Sequence, residues 1–181
     1  MNLEEGKKRF IQTFGSLGSK WGINRTMAQV HALLLVSPES LSAEDIMKEL
    51  NISRGNANMN LRALIDWGLI MKEHKAGERR EFFYAEKDIW QVTRQIIIER
   101  KKRELDPIRS VLQELKDIEG EGEDVECFKK MVADLDDFSE KADKTLEKVT
   151  KTDRHWFFNA LLKIMGTVSY THLRAHETSE N

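Results

Sequence analysis

The stretch from Ser42 to Gly68, SAEDIMKELNISRGNANMNLRALIDWG, leaves the chain little freedom in how it folds. Ser42 is placed to cap a helix, and Asp45 three residues on can return the bond, a near match to the reciprocal capping box. Ile46 and Leu50 give that helix an apolar stripe. Asn51 and Ile52 make a tight turn, Ser53 caps a second helix, and Gly68 stands where that helix stops. Two short helices around so brief a turn predict a helix-turn-helix.

On the second helix, Ala57, Leu61, Leu64 and Ile65 fall in one sector at about 100° per residue and are expected to face the core. Gly55, Asn56, Met59, Asn60, Arg62 and Ala63 are expected to face away from it. An ordinary solvated face would carry Glu and Lys; this one carries Asn, Arg and small residues. Asn pairs with adenine in a bidentate way, Arg with guanine or a phosphate, and a Met side chain fits a thymine methyl. The alternative is a polar exposed helix with no partner.

After Gly68 the pattern changes to LIMKEHK (69–75) and REFFYAE (80–86), joined by Ala76-Gly77-Glu78-Arg79. That predicts a β-hairpin with glycine in its tip. Lys75, Arg79 and Arg80 cluster at the tip, where they are either ordinary turn charge or contacts to a phosphate backbone. A helix-turn-helix followed at once by a basic-tipped hairpin is the order of a winged helix. Between residues 53 and 80 six Lys/Arg face three acids, whereas between 113 and 147 thirteen acids face five lysines. The net charge of -2 hides this asymmetry, which suits a chain that turns one face to a polyanion.

Upstream, residues 3–20 are expected to form a helix with Leu3, Phe10, Ile11, Phe14 and Leu17 as its apolar positions. Trp21-Gly22 interrupts it. Asn24 then caps a helix carrying Met27, Val30, Leu33, Leu34 and Leu35, apolar over much of its circumference and so the expected central helix. Ser37-Pro38 ends it.

The segments WGINR (21–25), NISRGNANMNLRALIDWGLI (51–70) and GERREFFYAEKD (77–88) resemble the winged-helix core of MarR-type bacterial transcription regulators, and within them the GbsR branch. The resemblance implies a mainly α fold with a small β-hairpin wing and long C-terminal dimerisation helices. It also implies a homodimer in the bacterial cytoplasm that regulates transcription by binding double-stranded DNA at a palindromic operator. Residues 1–88 would form the DNA-binding domain, with helix 1–20 also at the dimer interface, and residues 89–166 a helical dimerisation region. Helix 53–67 would enter the major groove through Ser53, Arg54, Asn56, Met59, Asn60 and Arg62, and the wing, 75–80, would rest on phosphates through Lys75, Arg79 and Arg80. Genes regulated in that branch often concern osmoprotectants. Trp21, Trp67 and Trp90 lie at the expected joints, either packing them or holding a small-molecule effector such as a quaternary ammonium by cation–π attraction.

The second half is expected to be helical. Asp88 caps a helix running through Trp90, Thr93 and Ile97, and a basic run, 100–103, is either a solvated face or a further phosphate contact. Asp106-Pro107 marks a new start or a kink, and Ile108, Val111, Leu112, Leu115 and Ile118 continue the apolar stripe. Gly120-Glu121-Gly122 breaks it. Val125, Phe128, Val132, Leu135, Ala142, Leu146 and Val149 then follow heptad spacing, with Ser139 in the one gap. Their partner is either the same helix of a second subunit or the 89–118 helix of the same chain. Thr152 or Asp153 caps a last, broadly apolar helix assigned to a dimer interface. The tail 167–181 resembles translated cloning sequence and is expected to be disordered; its His172 and His176 have metal-ligand spacing but no third ligand nearby.

Catalysis is not expected. There is no glycine-rich phosphate loop, CxxC pair or nucleophile elbow, the one cysteine, Cys127, reads as a buried or idle thiol, and Asp136-Asp137 reads as surface. No cofactor and no metal are expected. The charged start, MNLEEGKKRF, carries no signal peptide pattern, and no apolar run is long enough to span a bilayer. A different class of function stays open, a winged-helix protein-interaction module or ligand sensor that binds no DNA.

Overall fold

The structure is a computed structural model that describes residues 1–152. The helix predicted after Thr152 and the tail from 167, with His172 and His176, lie outside the described residues. The chain divides into two compact units, Met1–Glu99 and Arg100–Asn181. The first unit thus extends past residue 88, because the helix that follows packs Val92 into its core.

In the first unit the helices are α1 (Leu3–Lys20), α2 (Arg25–Val36), α3 (Ala43–Leu50), α4 (Arg54–Asp66) and α5 (Ile89–Arg100). The strands are β1 (Leu41–Ser42), β2 (Ile70–His74) and β3 (Glu81–Ala85), in the order β1-β3-β2. β2 and β3 form the expected antiparallel hairpin, with Ile70 opposite Ala85 and His74 opposite Glu81. β1 has only two residues, too few to leave a periodic signal, and pairs Leu41 with Phe83 and Ser42 with Phe82.

Local signals set most boundaries. Asn24 Oδ1 accepts from the amides of Thr26 and Met27 at the start of α2. Ser42 and Asp45 form the reciprocal box at the start of α3, and the Ser42 hydroxyl also donates to the Asp45 carboxylate at 2.6 Å. That hydroxyl bond is the main reason the Asp45 carboxyl lies below its ordinary range. Asn51 takes the left-handed conformation, φ 50°, that lets the chain turn out of α3, and Gly68, φ 66°, does the same after α4. Asp88 Oδ1 accepts from the Trp90 amide at 2.8 Å to start α5.

α2 is the buried centre: Val30 and Leu34 are sealed, and Ile46, Leu61, Leu64, Ile70 and Phe83 complete the core around them. α1 lies against α2. Its approach depends on Gly18, where a Cβ would stand 2.6 Å from the Ala28 Cβ. Leu3, expected among the apolar positions of α1, is instead exposed.

The second unit begins differently from the continuous stripe expected over 89–118. A π-helical turn, Lys101–Leu105, precedes α6 (Asp106–Leu115). Pro107 accounts for it, since it brings no N–H to the preceding turn and its ring displaces a carbonyl there. Lys101 in the basic run bonds Asp106 at 3.0 Å and Asp143 at 2.8 Å, which raises its pKa. α7 (Glu123–Lys151) packs on α6 as an intrachain hairpin. Arg109 reaches Asp143 at 2.6 Å, and Gln113 reaches Asp136 at 2.6 Å. Asp136 is therefore half-buried, bonded to Gln113 and Lys116 rather than a plain surface acid. Val132 and Ser139 of the heptad are buried, while Phe128 and Leu135 stay exposed. Cys127 is exposed. Among the described residues no helix is long and apolar enough to cross a membrane.

Gly18→Ala is expected to cost about 1–3 kcal/mol of stability by forcing α1 off α2. Gly15→Ala is expected to cost less, because the nearest atom to its added Cβ is the flexible Gln29 side chain. Chemical denaturation of the two variants checks the order.

Candidate nucleic-acid interface

α4 is held from one side only. Ala57, Leu61 and Leu64 are buried in the core, Ile65 is half-buried, and Gly55, Asn58, Met59 and Arg62 are exposed at i, i+3, i+4, i+7 spacing. Ser53 is exposed and its hydroxyl accepts from the Asn56 amide at 3.3 Å, so the helix starts with a bonded cap. The first turn holds no acid. Gly55 has nothing within 4 Å of where a Cβ would sit, so that face is open. Arg54 is exposed and stands 3.6 Å from Glu44 of α3, a solvated pair of little strength. Arg62 is exposed with no carboxylate partner among the described residues.

Asn60 departs from expectation. It is buried, not outward, and its amide donates to the Asn56 carbonyl at 2.8 Å and to Asn56 Oδ1 at 2.7 Å. Its position three after Ala57 and four before Leu64 places it on the edge of the apolar sector, whatever its polarity. Asn56 itself is half-buried. Asn58 is the exposed amide that sequence reasoning passed over, although its offset from Gly55 and Arg62 marks it.

Three cations stand at the hairpin tip. Lys75 Nζ lies 4.5 Å from the centroid of the Phe82 ring and the Arg80 guanidinium 5.4 Å from it. Phe82 is buried, so the ring is a fixed floor under both charges. Arg80 is also bonded to Glu78 at 3.2 Å, and that bond raises its already high pKa. Arg79 is exposed with no carboxylate partner among the described residues. Lys72, on β2, is taken up by Glu81 at 2.9 Å. The hairpin thus carries Lys75, Arg79 and Arg80 at its tip, with Glu78 among them.

A separate cavity of about 550 Å³ in the first unit is lined by α1, α2, the end of α4 and α5. Trp21 and Trp67 line it with Phe10, Phe14 and Val92; Trp90 does not. His31, Lys87 and Thr93 are its polar lining; His31 is the buried one. It is 7% exposed, its Nε2 finds no hydrogen-bond partner among the described residues, and burial lowers its pKa to about 4.

This first unit is a winged helix: a three-helix core with a two-helix turn unit, and a hairpin closed by a short third strand. Residues 21–81, about a third of the chain, match the family model of the MarR family. A solved structure described as "Crystal Structure of a transcriptional regulator" aligns with a TM-score of 0.63 at 21% identity, over 80% of this chain and 95% of that one. At that identity the likeness speaks for the fold. No curated protein matches the chain.

Because His31 is neutral when folded, its contribution is complete above its ordinary pKa of 6.5 and is lost as pH falls toward 4. Wild type is therefore expected to lose about 2 kcal/mol more stability than His31→Leu between about pH 7.5 and about pH 5. Urea titrations of both proteins at the two pH values measure the difference.

Proposed function

We propose that the chain is a sequence-specific DNA-binding regulator of transcription that acts as a homodimer in the bacterial cytoplasm. α4 enters the major groove and the wing, residues 75–80, rests on the adjacent phosphates. One pair of observations supports this reading: the first turn of α4 holds no acid of its own, and the hairpin tip carries three cations, two of them over the buried Phe82 ring. Arg54, Asn56, Met59 and Arg62 meet base edges or the backbone near them, Ser53 shapes the start, and Lys75, Arg79 and Arg80 supply charge. Asn58 joins this set, and Asn60 acts from behind it. The role is regulatory, not catalytic, and the sequence segments quoted above favour the GbsR branch.

The homodimer reading rests on α7. Phe128, Met131, Leu135 and Phe138 are exposed at 3-4-3 spacing on the side that α6 leaves open. A second copy of the same helix buries that seam at both sites at once, and α1 adds to the interface. Two subunits present two recognition helices to a palindromic operator. The cavity with Trp21, Trp67 and His31 is the proposed effector pocket. Its two indoles suit a quaternary ammonium, for which titration calorimetry with choline and glycine betaine is the direct assay.

The competing reading, a sensor that binds no DNA, draws support from the same cavity. Salt separates the two. Three wing cations per subunit neutralise about six phosphates in a dimer, so operator affinity is expected to fall about 10³-fold between 50 and 200 mM salt. Replacing Arg79 and Arg80 with Ala is expected to weaken binding to all sequences alike and flatten that slope. A salt-independent interaction in gel shifts would favour the sensor. Replacing Leu135 and Phe138 with Glu is expected to give a monomer in sedimentation analysis; an unchanged dimer would place the interface elsewhere.

A further inference from the structure

Asn60 is a buried polar residue whose bonds lead straight to the proposed reading face. Its Nδ2 donates to the Asn56 main-chain carbonyl at 2.8 Å and to Asn56 Oδ1 at 2.7 Å. A main-chain carbonyl can only accept. The group that Asn60 turns to it must therefore be the NH2, which settles the orientation of the Asn60 amide by chemistry. The other hydrogen of the same NH2 meets the Asn56 side chain, and only an oxygen can answer it. Asn56 thus has its oxygen held back toward the helix, which leaves its NH2 as the end available to a partner.

We propose that Asn60 is a positioning residue that makes Asn56 a donor-only reader, selecting bases that present a carbonyl to the major groove and rejecting those that present an amino group. This rests on the DNA-binding reading given above. Bidentate recognition of adenine needs both ends of one amide, the oxygen for the N6 amino group and the NH2 for N7. One lone pair of that oxygen is taken by Asn60 Nδ2, and the bond turns the oxygen toward the buried Asn60 rather than outward. An outward NH2 suits guanine, with O6 and N7 side by side, or thymine O4. It meets the amino group of cytosine as donor against donor, and on adenine it reaches N7 alone and leaves the N6 amino group unanswered. Asn56 is therefore not an adenine reader of the kind its residue type suggests.

The test selects DNA from a random pool with the full-length protein and with Asn56→Ala, Asn56→Asp and Asn60→Ala. The position that loses its preference in Asn56→Ala is the one Asn56 reads. Wild type is expected to favour guanine or thymine there by about tenfold or more. Asn56→Asp keeps an oxygen for Asn60 but turns a second oxygen outward, and is expected to invert the preference toward adenine or cytosine. Asn60→Ala frees the amide and is expected to admit adenine; should it fail to fold, Asn56→Asp carries the same test. Side-chain amide exchange by NMR in the DNA-free protein reads the clamp directly, with slow Asn60 and fast Asn56 NH2 protons expected. Adenine selected by wild type, or a preference unmoved in Asn56→Asp, would overturn the proposal. A freely exchanging Asn60 amide beside intact sequence selection would overturn it alone. A slow Asn60 amide with no sequence selected would sink the DNA-binding reading, and this proposal with it.

Discussion

The first unit is packed around α2, whose Met27, Val30, His31, Ala32, Leu33 and Leu34 are buried. Val30 and Leu34 have no exposed surface to speak of, and α1, α3, α4 and the sheet each cover part of that helix or of the core around it. Burying side chains of this size stabilises by roughly 1.5–3 kcal/mol each. α4 joins that core through Ala57, Leu61 and Leu64, with Ala63 and Ile65 packed against it. Its opposite side is left to solvent as a geometric consequence, and a helix side left open in this way is free to meet a partner. Stability and presentation are thus two results of one packing arrangement.

Ser42 links the elements that frame that open side. It pairs with Phe82 in the sheet, caps α3 and bonds Asp45, all from a fully buried position. Ser42 thus joins the hairpin to the two-helix unit, beside the Leu41 pairing with Phe83. On the hairpin, Phe82 then serves two purposes. Its ring is buried on the face of β3 opposite Phe83 and Ala85, and it receives Lys75 and Arg80. The cations hence sit on a fixed surface, which lowers the entropy a flexible basic tip would lose on meeting a phosphate.

The second unit solves another problem with buried charge. Asp143 receives both Lys101 and Arg109, and Asp136 receives Lys116 and Gln113. These acids pin α7 along α6 at two levels and hold its register. Lys101 bonding Asp143 and Asp106 also explains why the basic run does not act as a uniform patch. Exposed apolar residues remain on both helices, Ile108 and Val111 on α6 and Phe128, Met131, Leu135 and Phe138 on α7.

Much of this was legible in the chain itself. Caps at Asn24, Ser42, Ser53 and Asp88, the turn at Asn51 and the stop at Gly68 are local effects, set by which side chains reach nearby amides and which residues tolerate positive φ. The bounds of α1, the hairpin and its basic tip follow from local periodicity in the same way. What local signals could not supply was anything settled by partners distant in sequence. β1 exists only because Phe82 and Phe83 lie beside it. Asp136 looks like surface until Gln113 and Lys116 arrive. Trp90 shares a residue type with Trp21 and Trp67 but not their cavity. Asn60 is the sharpest case, because its polarity argued for the outside while its angular position put it inside. Sequence alone determined which segments become helix or strand, since those choices are made within a few residues. Only the tertiary structure decided which polar groups are spent on the protein and which remain for a partner, since that depends on what packs behind each one.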